Sequence, residues 1–145
     1  MNNEITKSSF KKILVIDDNP TDRFIAKRMA EKYQFTEEII LKESAIDALE
    51  YLQELEEFPK LLPQLIFLDI NMPEMDGYEF LEEYGKLSET IKENCIVIMI
   101  TSSIHPDDLK RAEDNPYVNR FVNKPIDKEK LRLIEEDFLL KKQSS

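Results

Sequence analysis

The chain has 145 residues, with 20 Lys plus Arg against 30 Asp plus Glu and a formal net charge of -10. That length suits one domain with a full core, and the acidity excludes the basic face that neutralises nucleic-acid phosphates. Cys95 is the only cysteine, so no disulfide forms within the chain, and no apolar run approaches the roughly 18 residues of a membrane span, so a soluble cytoplasmic protein with no direct nucleic-acid or membrane contact is expected.

A polar lead, residues 1–9, precedes the apolar run FKKILVI at residues 10–16, which reads as a strand running straight into Asp17 and Asp18. Asn19 and Pro20 have the chemistry of a helix cap and first helical residue, and Ile25, Met29 and Tyr33 then recur at intervals of four. The next run, Ile39-Ile40-Leu41, is short and flanked by charge, as suits a strand nearer a sheet edge. Ser44 is placed to cap a second helix with Ala45, Ala48, Leu49, Leu52 and Leu55 on one face, and Pro59 and Pro63 end it.

Residues 65–69, LIFLD, are apolar up to Asp69, the pattern of a strand buried on both faces. Asn71-Met72-Pro73 and Asp76-Gly77 follow with turn chemistry, and Gly77 opens a third helix on which Phe80, Leu81, Tyr84, Leu87 and Ile91 keep a period near 3.6. Residues 95–100, CIVIMI, form a fourth apolar strand in which Cys95 reads as a small buried hydrophobe, and the strand closes at Thr101-Ser102-Ser103. His105, the only histidine, falls in a loop, and Pro106 opens a short fourth helix with Leu109 and Ala112 as its apolar content. Residues 117–122 predict a fifth strand ending at Asn123-Lys124-Pro125. Asp127 then caps a last helix that buries Leu131, Ile134 and Phe138, with residues 141–145 left as a tail.

Five strands alternating with five helices, several strands apolar throughout, indicate a doubly wound five-stranded parallel α/β sheet with helices on both faces and one domain over residues 10–140. Ligands of such sheets bind outside the carboxyl ends of the strands, where the winding reverses. Four of the five strands end there in a residue with chemical potential: Asp17-Asp18, Asp69, Thr101 and Lys124. Each alone has an ordinary reading, as a cap, a strand end or a solvated lysine, but all four together point to a site. Clustered carboxylates repel one another and are tolerated when they bind a hard cation such as Mg²⁺, whose octahedral shell leaves room for a phosphate. A carboxylate beside such an ion is a competent nucleophile toward phosphorus, with Lys124 and Thr101 available to the phosphoryl oxygens.

These motifs, DDNP at residues 17–20, LDINMPEMDG around Asp69, Thr101 closing the fourth strand and FVNKP at residues 121–125, resemble the receiver domain of two-component response regulators. The resemblance covers residues 10–140, and with no output domain beside it the chain is similar to the stand-alone, CheY-like members. It implies the flavodoxin-like strand order 2-1-3-4-5. Asp69 would be the phosphoacceptor, charged by a sensor histidine kinase or a histidine phosphotransfer protein. Asp18 and Asp69 would ligate Mg²⁺ by side chain, Asn71 by its backbone carbonyl and Asp17 mostly through water. Thr101 and Lys124 would bind the phosphoryl group, and Phe121 matches the aromatic switch position, which would turn inward with Thr101 and remodel the face of the fourth helix, fifth strand and fifth helix. A downstream protein would read that face, with pairing of two copies of the chain left open. Asn71 and Ser103 are expected to set the phosphorylated lifetime through water access. Two departures lie on the signalling face: Asn115-Pro116 where many members carry glycine, and Phe rather than Tyr at residue 121.

Two other classes compete. A Mg²⁺-dependent phosphohydrolase would also form an aspartyl phosphate, but it commonly needs a second acid two residues after the nucleophile, where this chain has Asn71. A constitutive binding module would leave the acid pair, Thr101 and Lys124 without a reason to occur together.

Overall fold

Side-chain alternation along three buried strands decides the layering of this molecule. The structure, a computed structural model, describes residues 8–102 and 105–144. In chain order the elements are β1 (Phe10–Ile16), α1 (Pro20–Lys32), β2 (Thr36–Lys42), α2 (Ala45–Glu54), a 3-10 turn (Pro59–Leu61), β3 (Leu65–Asp69), α3 (Gly77–Tyr84), α4 (Glu89–Asn94), β4 (Ile96–Thr101), α5 (Pro106–Asp114), β5 (Val118–Asn123) and α6 (Lys128–Ser144). All pairings are parallel, in the order β2-β1-β3-β4-β5, the flavodoxin-like order expected.

Consecutive residues of the central strands feed two cores. Leu14 and Ile16, Ile66 and Leu68, and Val97 and Met99 point to one face, where α2, α3 and α4 pack and α5 contributes Ala112. Ile13 and Val15, Leu65 and Phe67, and Ile98 and Ile100 point to the other, covered by Ala26 and Ala30 of α1 and Leu131 and Ile134 of α6. Burial on both faces is why these runs carry no polar alternation. The edge strands β2 and β5 are less buried and more polar. The chain turns from β1 outward to β2, then back across to β3, so the winding reverses between β1 and β3, at Asp17 and Asp69.

Two expectations need correction. The third helix, expected to run through Ile91, is two: α3 ends at Gly85, and α4 starts afresh with Ser88 Oγ accepting from the Ile91 amide at 3.4 Å. Amide bonds from Lys86 to Glu83 O and from Leu87 to Tyr84 O tighten the chain between them. Both pieces bury the same side of the sheet, so the apolar period passes through the break unaltered. Among the described residues the α-helices therefore number six rather than five. In α1 the buried positions are Ala26 and Ala30, with Met29 and Tyr33 at their flank and Ile25 half-buried, because small side chains let this helix lie close to the sheet. His105 lies in the loop before α5, as expected, and caps that helix, its Nδ1 accepting from the Asp107 amide at 3.3 Å; of the two apolar residues of α5 only Ala112 is buried.

The caps at Ser44 and Asp127 are present as expected, accepting from the amides of Asp47 and Lys130. Cys95 is buried just before β4, and burial pushes its thiol up to about 12 despite the Tyr84 hydroxyl beside it, so it stays protonated near neutral pH. No helix among the described residues is long and apolar enough to cross a membrane.

Leu68, fully buried, and Phe24, 61% exposed, are equally apolar in the sequence but differ in what they hold together. Leu68→Ala is expected to cost about 2–5 kcal/mol in urea denaturation, and Phe24→Ser less than about 0.5 kcal/mol.

Candidate functional site

The carboxyl ends of β1, β3, β4 and β5 converge on one crevice. Asp17 follows the last residue of β1 and is buried, Asp18 beside it is exposed, and Asp69 closes β3 and is buried. One carboxylate oxygen from each of these three lies within 4.8 Å of the other two. Thr101, fully buried, closes β4. Lys124 follows β5, its amide donating to Thr101 O at 2.6 Å and its peptide to Pro125 cis.

Lys124 reaches back across the crevice. Its Nζ is 2.8 Å from Asp17 Oδ2, 2.8 Å from Asp22 Oδ2 and 3.5 Å from Asp69 Oδ1. Burial works to lower the pKa of this ammonium, but the bonds to Asp17 and Asp22 and the charge of Asp69 outweigh it and hold the pKa above its ordinary value. Asp69 is pushed the other way from a normal acid, to about 7. Burial is the main cause and the Asp17 charge the next, opposed by Lys124 and by the Asn71 amide that bonds the carboxylate. The donor set is oxygen only, and its repulsion is only partly relieved by the Lys124 ammonium, which is the chemistry of a site for a hard divalent cation.

Local sequence chemistry holds these groups in place. Asp17 Oδ1 accepts from the Asn19 amide at 3.0 Å, and Arg23 Nη1 donates to Asp17 O at 2.8 Å, tying α1 to the end of β1. After β3, the Gly77 amide donates to Ile70 O at 2.8 Å, and a Cβ on Gly77 would stand 2.8 Å from Asp69 O and 3.0 Å from Ile70 Cα. Gly77 is thus required by close backbone approach beneath Asp69, beyond the turn chemistry expected of it. Asp76 and Glu79 form a reciprocal capping box that starts α3 there.

Of the residues singled out from the sequence, Asp17, Asp18, Asp69, Asn71, Thr101 and Lys124 meet at this crevice. Phe121 lies on β5 opposite Met99, partly buried on the face that carries α2 to α5, and two-residue alternation along β4 puts Thr101 on that same face. Ser103 falls outside the described residues. Asp22 and Arg23 are additions: an acid in the first turn of a helix reads as dipole chemistry, and nothing local shows that Asp22 bonds a lysine 102 residues away. The acidic character extends outward in a groove lined by Asp18, Glu43, Asp47 and Glu74.

Residues 13–134 match the sequence model of the response regulator receiver domain. The chain belongs to this family. A probable methanogenesis regulatory protein, FilR2, from Methanothrix harundinacea is 35% identical over 125 residues, covering 86% of this chain and 79% of that protein. The response regulator Rcp1 from Synechocystis is 31% identical over 117 residues, 79% and 76% of the two chains. Its structure in a Mn(2+)-bound form superimposes with a TM-score of 0.67, 25% identity and coverage of 87% and 90%. A two-component response regulator from Cytophaga hutchinsonii has a TM-score of 0.84 at 28% identity, covering 90% of this chain and 97% of its own. The receiver fold and the carboxylate cluster at the switch point therefore occur together in this chain.

Gly77→Ala sets backbone against backbone and is expected to cost about 1–3 kcal/mol in thermal or urea unfolding. Asp69 ionises near 3.8 when unfolded and near 7 when folded, so the folded state holds the extra proton between those values and, without divalent cations, this group destabilises increasingly as pH rises from 4 to 7. Asp69→Asn is expected to stabilise the cation-free protein at pH 8 by at most about 4 kcal/mol, a gain that shrinks toward zero at pH 4 when followed by melting.

Proposed function

We propose that Asp69 accepts a phosphoryl group and that the receiver, over residues 10–140, is a signalling switch governed by that group. The observation that carries this reading is the meeting of Asp69 with two further acids and the Lys124 ammonium at the point where the sheet reverses its winding. As a carboxylate, Asp69 attacks phosphorus directly. One Asp69 oxygen–phosphorus bond forms while the donor's nitrogen–phosphorus bond to histidine breaks, the electron pair staying with the imidazole. Lys124, already 3.5 Å from Asp69 Oδ1, supplies a positive charge to the phosphoryl oxygens, and the Thr101 hydroxyl a hydrogen-bond donor.

Asp18 and Asp69 by side chain, Asn71 by its carbonyl and Asp17 mostly through water would hold Mg²⁺. When bound, the ion neutralises charge on the carboxylates and the phosphoryl oxygens. The oxygen-only cluster supports this reading, as does the Mn(2+)-bound form of the similar Rcp1. The phosphoryl source is a histidine kinase or histidine phosphotransfer protein, and the cytoplasm is where such a relay would operate.

The output face would be α5, β5 and α6, the fourth helix, fifth strand and fifth helix of the family pattern. Phe121 and Thr101 share one side of the sheet, so a shift of Thr101 toward a phosphate opens space on the side of the Phe121 ring. A downstream protein, or a second copy of the chain, would read the altered surface. Turnover as a phosphohydrolase is not supported, because Asn71 stands where the second acid is needed.

With acetyl phosphate and Mg²⁺, the mass of the protein should rise by one phosphoryl group, and Asp69→Asn should abolish the change. An unchanged wild-type mass under these conditions would sink the reading, and sustained release of phosphate from small esters would favour the hydrolase instead.

A further inference from the structure

Lys124 divides its ammonium among three carboxylates unequally. The two short contacts, each 2.8 Å, go to Asp17 and Asp22, and the contact to Asp69 is 3.5 Å. Asp17 belongs with Asp18 and Asp69 in the carboxylate cluster, whereas Asp22 lies outside it, on the first turn of α1. The backbone of Asp22 is fixed by the helix cap, its amide donating to Asn19 Oδ1 at 3.0 Å, which leaves its carboxylate to reach Lys124. An acid in a first helical turn interacts with the helix dipole wherever it points. Here it is aimed instead at an ammonium whose side chain is only 10% exposed.

We propose that Asp22 is a positioning residue: it is the counterion that holds Lys124 in the unphosphorylated receiver and competes with the phosphoryl group for it. This rests on the phosphoacceptor reading of Asp69. An ammonium has three N–H donors, and two are already committed to short bonds on the side of β1 and α1. Turning toward phosphoryl oxygens on Asp69 requires one of those bonds to lengthen. Asp17 is 1% exposed and fixed at the end of β1, while the Asp22 side chain is 31% exposed and can rotate into water. The Asp22 bond is therefore the one that yields. Because that bond is made chiefly in the unmodified state, it stabilises that state, and its loss shifts the balance toward the phosphoryl-bound one.

The test uses trifluoroberyllate, a stable stand-in for a phosphoryl group on a carboxylate, titrated into the full chain with Mg²⁺. Asp22→Asn keeps the backbone cap and removes the charge, and it is expected to bind the analogue roughly three- to tenfold more tightly than wild type. Asp47→Asn removes a charge from the acidic groove beside Asp18 without touching Lys124, and it should change the affinity less than about twofold on the same scale. An unchanged affinity in Asp22→Asn, or an equal gain in Asp47→Asn, would overturn the proposal, the second by showing a general field effect. If wild type itself binds no analogue at Asp69, the phosphoacceptor reading fails along with it. Wild-type binding with no gain in Asp22→Asn removes the role of Asp22 alone.

Discussion

One ammonium facing more carboxylate charge than it can balance is the interaction on which this structure turns. The buried runs at residues 13–16, 65–68 and 97–100 hold no ionised group, and the acids that follow the first two stand at the strand ends, where the crevice is partly dry and partly open. There Asp17, Asp18 and Asp69 come within 4.8 Å of one another, and Lys124 meets two of them together with Asp22. The upward displacement of Asp69 to about 7 registers the imbalance, with burial contributing more than the Asp17 charge. The site is held under repulsion by a well-packed fold, and a cation bound among the carboxylates would relieve it.

That arrangement depends on short-range features of the chain. The β1 and β3 strands are neighbours only because the winding reverses between them, which is what sets Asp17 beside Asp69. The Lys124 amide bond to Thr101 O fixes where β5 releases its lysine. The backbone beneath Asp69 is crowded by Gly77, so the acid and the start of α3 are placed by one contact. Each of these joins a residue of the site to the element that carries it.

The parts legible in the sequence were those that follow from burial. A continuous apolar run can place polar chemistry only at its end, so Asp17, Asp69 and Thr101 stood out, and the sheet class followed from the same runs, whereas Lys124 follows the more polar edge strand β5 and gained its meaning only beside the other three. The strand order and the separate roles of the site residues came from the resemblance to receivers. What escaped was decided by contacts between distant residues or by features to which a periodicity is blind. The break at Gly85 to Ser88 keeps the apolar phase on both sides, and Ala26 and Ala30 bury a helix whose larger apolar residues stay at its flank. Asp22 looks like any acid in a first turn until the fold brings Lys124 to it.

The packing of α5 bears on how a signal would leave the site. Ala112 is its only buried residue among those described, and the Tyr78 hydroxyl donates to Asp108 O at 2.9 Å while Arg111 lies over the Tyr78 ring at 3.7 Å. Few buried contacts make this the kind of element that moves at low cost. Its carboxyl end leads into a well-packed turn. The Asn115 amide donates to Ala112 O, Asn115 Oδ1 accepts from the Tyr117 amide at 2.9 Å, and Tyr117 packs edge-on against Tyr84 and over Gly85. The Asn115-Pro116 turn is therefore held by Tyr117 against the end of α3. Tyr78 directly follows Gly77, whose backbone abuts Asp69, so the hydroxyl that holds Asp108 is carried by the same turn that supports the acid. Under the proposed switch, α5 is coupled to the acid through Tyr78, whose hydroxyl bonds its first turn.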